Sequence, residues 1–210
     1  MPSKKTYAIS AILLAAAGFG AGGLYTALKD DTFADCGGGV ATGAASIGGP
    51  FTLVSETGAT VTAAEVIDGP ALIYFGYTFC PDVCPVDAAM MAETADMLAA
   101  RGTPVKTVFI SIDPERDTPE VLADFTDNLH PDMIGLTGPV EAVEAAKSAY
   151  KVYGAKAAGD DPEFYLMDHS AFIYLMAAPD RFLTIFRHGA APQDMAETAS
   201  CYLDALAAGA

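Results

Sequence analysis

Two cysteines and one histidine carry most of the chemistry available to this sequence. Cys80 and Cys84 stand in Phe79-Cys80-Pro81-Asp82-Val83-Cys84-Pro85, and His169 stands in Asp168-His169-Ser170. Two soft thiolates and one imidazole form a ligand set suited to copper, as Cu(I) or as Cu(II). The same two thiols can instead close to a redox disulfide. Three residues separate the cysteines, one more than in the Cys-x-x-Cys of redox thioredoxins. The wider loop lets both sulfurs converge on a third body, but it can also still close on itself. Spacing alone leaves both chemistries open.

Each residue also has a plainer reading. Two inert core cysteines are one, although thiols flanked by Pro81 and Pro85 at the mouth of a loop are not typical core packing. A lone histidine more often caps an element or fills a core; the company of Cys80 and Cys84 makes His169 a ligand candidate. Asp168 orients the site or stays in solvent and is not taken as a ligand. Asp113-Pro114-Glu115-Arg116-Asp117 reads as a strand-end turn with local ion pairs rather than an acid–base cluster. His130 and His188 read as exposed, ordinary histidines.

The elements that must position these groups follow from hydrophobic periodicity. Phe51–Val54 and Thr60–Thr62 flank a turn at Gly58 and form a short N-terminal β-hairpin. The apolar run Ala71–Tyr77 leads through the cysteine loop into a helix over about 86–100. The run Val105–Ile112 leads to a helix over about 119–129, in which Val121, Leu122, Phe125 and Leu129 recur at helical spacing. Thr118-Pro119 supplies an N-cap and a first-turn proline. A third helical pattern covers 140–150. Two apolar runs, 171–176 and 182–186, flank a Pro179-Asp180 turn. A last helix spans about 192–207. Two parallel strands extended by an antiparallel pair give an α/β, thioredoxin-like fold, a central mixed β-sheet flanked by helices. In this plan Pro85 opens the helix, Cys84 lies near its N-cap, where partial positive charge favours thiolate, and His169 starts the strand beside the cysteine loop.

Residues 6–28 contain no charge, behind Lys4 and Lys5. Such a run is long enough to cross a membrane as a helix, and the positive-inside rule leaves the N-terminus in the cytoplasm and exports the rest. A cleaved signal peptide would have a shorter apolar core and a small-residue cleavage site such as Ala15–Ala17; the run continues past it, which favours a single-pass anchor. The expected division is 1–29 anchor, 30–49 glycine-rich linker and 50–208 folded domain. All 27 acidic residues follow position 29, and the whole chain carries a net charge of −16. No basic footprint for nucleic acid exists. Cys36 and Cys201 are left over. In an oxidising compartment they can pair, remain free, or pair between chains.

Four stretches together resemble the Sco/SenC family of membrane-anchored copper proteins. They are Tyr77–Pro85, Ile112-Asp113-Pro114-Glu115-Arg116-Asp117-Thr118-Pro119, Gly135-Leu136-Thr137-Gly138 and Asp168-His169-Ser170-Ala171. The resemblance implies a thioredoxin-like domain on the periplasmic side of the inner (cytoplasmic) membrane. It implies copper ligation by Cys80, Cys84 and His169. The implied partner is the CuA domain of cytochrome c oxidase subunit II, with other copper chaperones or thiol reductants upstream. The alternative is a metal-free thiol–disulfide reductase acting on the CuA cysteines through Cys80 and Cys84; it has no evident need for His169. A thiol peroxidase is disfavoured, since that family's threonine lies three residues before its reactive cysteine, and here that position is Tyr77.

Overall fold

The computed structural model describes residues 33, 36–37, 47–158 and 164–209. Apart from Phe33, these all lie in one unit, Cys36–Ala210. The uncharged run 6–28, most of the linker and the acidic stretch 159–163 lie outside the described residues. Among the described residues, no helix is long and apolar enough to cross a membrane.

The N-terminal hairpin consists of β1 (Thr52–Ser55) and β2 (Thr60–Thr62), paired antiparallel. Gly58 makes its turn at φ 80°, a conformation that costs glycine little. One helical turn, α1 (Ala63–Val66), leads to β3 (Ala71–Gly76), every residue of which is buried. A strand with neighbours on both edges and helices on both faces has no solvent side, which is why Ala71-Leu72-Ile73-Tyr74-Phe75 is apolar without alternation. There follow α2 (Val83–Ala100), β4 (Lys106–Ser111), α3 (Pro119–Asp127), β5 (Met133–Thr137) and α4 (Val140–Tyr150). Then come β6 (Gly154–Lys156), β7 (Met167–His169), β8 (Phe172–Ala178), β9 (Arg181–Arg187) and α5 (Pro192–Ala207).

Seven strands form one mixed sheet in the order β2-β1-β5-β4-β3-β8-β9. Three of them, β5, β4 and β3, are parallel, not two as the sequence suggests. The added strand, β5, is hidden in the sequence by Gly135. A Cβ there would stand 3.1 Å from Leu122 Cβ and 3.2 Å from Thr126 Cγ2. The glycine lets α3 pack directly on the strand and removes one member of its apolar run. On the other side β8 runs antiparallel to β3, with Ile73 opposite Tyr174, and β9 completes the hairpin.

Helix α2 packs against both the sheet and α5. It is therefore covered on two sides, and Ala88, Met91, Ala95 and Leu98 are all buried. Aromatic side chains fill the centre of the fold: Phe75 lies 5.3 Å from Tyr150 and Tyr150 lies 6.0 Å edge-on to Tyr174, centroid to centroid. A disulfide joins Cys36 to Cys201 of α5, with Cα atoms 5.4 Å apart. Beside it the Tyr202 hydroxyl donates to the Gly37 carbonyl at 3.2 Å.

Two further departures concern the site. Helix α2 begins at Val83, so Cys84 sits inside the first turn and Pro85 is its third residue, still where a missing N–H costs no helical bond. His169 does not open β8. It ends β7, which pairs with β6 in a separate two-stranded sheet, Gly154 opposite His169 and Lys156 opposite Met167.

Candidate metal centre

The N-terminus of α2 is capped by sulfur. Asp82, at the N-cap, makes no side-chain capping bond. Instead the Cys84 backbone N–H donates to the Cys80 Sγ at 3.3 Å, with the Asp82 N–H and the Tyr77 hydroxyl close to the same atom. Burial alone would raise the Cys80 thiol, but these donors hold it below the usual thiol value. The expected thiolate preference at the helix start thus falls on Cys80, outside the helix, and not on Cys84.

Cys84 has the opposite character. It is fully buried, and burial pushes its thiol well above the ordinary range, as does the neighbouring Cys80. The buried Tyr74 hydroxyl lies against it. One loop therefore presents a half-exposed, acidic thiol and a buried, protonated one, with their side chains in contact.

His169 completes the group from the far side. Its Nδ1–H donates to the Ser170 carbonyl at 3.1 Å, which leaves Nε2 as the acceptor. Nε2 lies 3.4 Å from the Cys84 Sγ. Burial lowers the histidine below its ordinary value, so the ring is neutral at pH 7. Tyr74 and Tyr77 stand edge-on to it at 6.2 and 5.9 Å and fix its plane. Cys80, His169, Met167 and Tyr77 line one open cleft of about 340 Å³.

A sulfur at about 2.3 Å and a nitrogen at about 2.0 Å from one first-row metal ion stand about 3.5 Å apart at a tetrahedral angle. The Cys84–His169 separation fits that requirement. Among the described residues, however, no three His, Cys, Asp or Glu side chains are already gathered closely enough to hold a metal. Cys80 Sγ lies over the helix N-terminus, where it accepts from the Cys84 N–H. Asp168 is exposed on the outer face of β7 and is not part of the group.

The residue that holds the loop was read in the sequence only as part of a strand-end turn with local ion pairs. Asp117 is fully buried and accepts from the Thr78 N–H at 3.2 Å, the Thr78 hydroxyl at 2.6 Å and the Ser111 hydroxyl at 2.5 Å. It ties the cysteine loop to the end of β4. Burial pushes its carboxyl up, partly offset by those three donors. The rest of its turn behaves as expected: Arg116 pairs with Asp113 at 2.5 Å. The Arg116 guanidinium also stacks 3.6 Å from the Tyr165 ring centroid and 4.6 Å from that of Phe79. Tyr77, pushed up to about 12 by burial, lies close to Cys80 and to the Met167 N–H. Its signal lay in the residue three places before a cysteine, weighed only against the peroxidase pattern. His130 and His188 are less ordinary than expected. His130 is largely buried and lies 3.2 Å from Asp96, and His188 Nδ1 lies 2.8 Å from Asp87 Oδ1.

Comparison with known proteins gives one consistent result. The SCO1/SenC family model matches residues 39–204. The protein SenC of Rhodobacter capsulatus is 47% identical over 206 residues, covering 97% of this chain and 93% of that protein. The structure of Bradyrhizobium japonicum ScoI with copper bound is 37% identical, with a TM-score of 0.66, covering 74% of this chain and 99% of that one. BsSco, a member of the Sco family of cytochrome c oxidase assembly proteins in which a disulfide switch was identified, is 25% identical with a TM-score of 0.58, covering 73% and 92%.

Proposed function

The chain belongs to the SCO1/SenC family, and on that premise we propose that it carries copper on Cys80, Cys84 and His169 and helps metallate the CuA site of cytochrome c oxidase subunit II. The observation that carries this reading is the 3.4 Å approach of His169 Nε2 to the Cys84 Sγ, with Nδ1 already committed to a carbonyl. A histidine so oriented is preset as a ligand. The copper cargo is soft as Cu(I) and matches two sulfurs; as Cu(II) it gains more from the imidazole. Loading takes the proton from the buried Cys84 and moves Cys80 inward from the helix cap. A mobile third ligand at the cleft mouth suits a site that must also release its metal.

The partner surface fits the same picture. Phe79, 52% exposed, stands next to Cys80, and Tyr153, 62% exposed, exchanges backbone and side-chain hydrogen bonds with Ser170 beside His169. These rings give a partner an apolar hold at the cleft, and the net charge of −16 favours a basic surround on it. Residues 6–28 are assigned as the single-pass anchor, 30–49 as linker and 50–208 as the periplasmic domain.

The thiol asymmetry supports a second reading, reduction of the subunit II cysteines before metallation. The Cys80 thiolate attacks a partner disulfide and releases one partner thiolate. Cys84 gives its proton to His169 Nε2 and attacks the Cys80 sulfur. The second partner thiolate leaves, two electrons have passed to the partner, and Cys80–Cys84 is a disulfide. His169 therefore has work in either chemistry.

The test is copper binding by the full-length protein and its Cys80→Ser, Cys84→Ser and His169→Ala variants. Cu(I) is read by competition and Cu(II) by its spectrum. Either serine variant should lose both ions, and His169→Ala should lose Cu(II) while retaining measurable Cu(I). Parent-like Cu(II) binding by His169→Ala, or copper uptake by the Cys80–Cys84 disulfide form, would overturn the ligand assignment.

A further inference from the structure

We infer that Met167 is a further copper ligand of this site, a thioether that favours Cu(I). The inference rests on the reading of Cys80, Cys84 and His169 as the copper group. It starts from the strand that carries the histidine. In β7, Met167 and His169 are half-buried and Asp168 between them is exposed. Alternate residues of a strand share a face, so the methionine and the histidine point the same way. Met167 accordingly lines the same cleft as Cys80 and His169.

Tyr77, whose ring stands 5.9 Å edge-on to His169, lines this cleft together with Cys80 and Met167. Gly154, opposite His169, has no side chain. Lys156, opposite Met167, is turned away to Glu115, at 2.5 Å, and lies over the Tyr165 ring at 4.2 Å.

The chemistry then favours one metal state. A thioether is soft and polarizable, and its three rotatable bonds let it reach a metal without moving the strand. Soft sulfur ligands select Cu(I). A thioether carries no proton at any pH, so it can bind a metal ion without releasing one. The three protein ligands of the proposed function leave one position of a four-coordinate ion open, and Met167 lines the same cleft.

Selenium gives a direct readout. Full-length protein would be produced with selenomethionine, loaded with Cu(I), and examined by selenium-edge X-ray absorption, alongside Met167→Leu made the same way. The chain has eight methionines, and the leucine variant removes only the one in question at nearly equal volume. A first-shell copper neighbour of selenium is expected in the parent and not in the variant. Met167→Leu should also lower Cu(I) affinity about tenfold, the lower end of what altered metal-site partners cost, with Cu(II) affinity changed less. Cys84→Ser is measured beside them. If Cys84→Ser loses copper while Met167→Leu binds Cu(I) as the parent does and no selenium–copper neighbour is seen, Met167 is only an apolar wall and the inference fails with the site intact. If Cys84→Ser binds as the parent does, the underlying site assignment fails, and this inference falls with it.

Discussion

Removing the Cys36–Cys201 bridge should cost this domain a third or more of an ordinary protein's margin of stability. The bridge spans a sequence separation of 165 residues. Closing a loop of that length removes about 17 cal/mol/K from the unfolded chain, or about 5 kcal/mol at 25 °C, if the unfolded state is a flexible coil. The whole folding free energy of a typical domain is only about 5–15 kcal/mol. With a urea dependence of about 2 kcal/mol per molar, the midpoint should fall by about 2.5 M. Two forms test this together: the parent in urea with and without reductant, and Cys36→Ala/Cys201→Ala. Reductant has no other disulfide to open among the described residues, because Cys80 and Cys84 are free. The two forms should agree, since the main effect is on the unfolded chain. Near-UV circular dichroism of the native state should stay as it is in the parent. A shift below about 0.5 M would refute the argument, as would a native spectrum that changes on reduction, which would place the effect in the folded state.

Two other outcomes follow from the site. Asp117→Ala strips the acceptor from the Thr78 N–H and from the Thr78 and Ser111 hydroxyls; it should lose about 3 kcal/mol or more in urea unfolding and weaken Cu(I) binding, and an unchanged midpoint would show that water takes over the clamp. The lowered Cys80 thiol and the raised, buried Cys84 thiol should make alkylation near pH 7 at least about tenfold faster at Cys80, read by peptide mass mapping. Equal rates would mean that the sulfur cap does not exist in solution.

The sequence located the reactive atoms better than it located what holds them, and the difference has a physical cause. Cys80, Cys84 and His169 are chemically rare types in distinctive local strings, so they are visible without any fold. The central strand β3 was equally plain, because a strand covered on every side must be apolar throughout. By contrast β5 was missed because helix contact imposes Gly135 in the middle of it, and β7 was missed because three residues carry no readable period. His169 was consequently assigned to the wrong strand while being assigned to the right neighbours.

The helix start shows the same limit at the scale of single atoms. Pro85 suggested that the helix begins after Cys84. In fact the chain enters it at Val83, because the Cys80 sulfur supplies the acceptor that Asp82 does not. No propensity scale contains a cysteine sulfur as an N-cap. That substitution is also what divides the two thiols. The sulfur that caps the helix gathers N–H donors and becomes the acidic one, and the sulfur one turn inside loses solvent and keeps its proton. The local folding problem of ending a loop at a helix therefore sets the order in which the two cysteines can react.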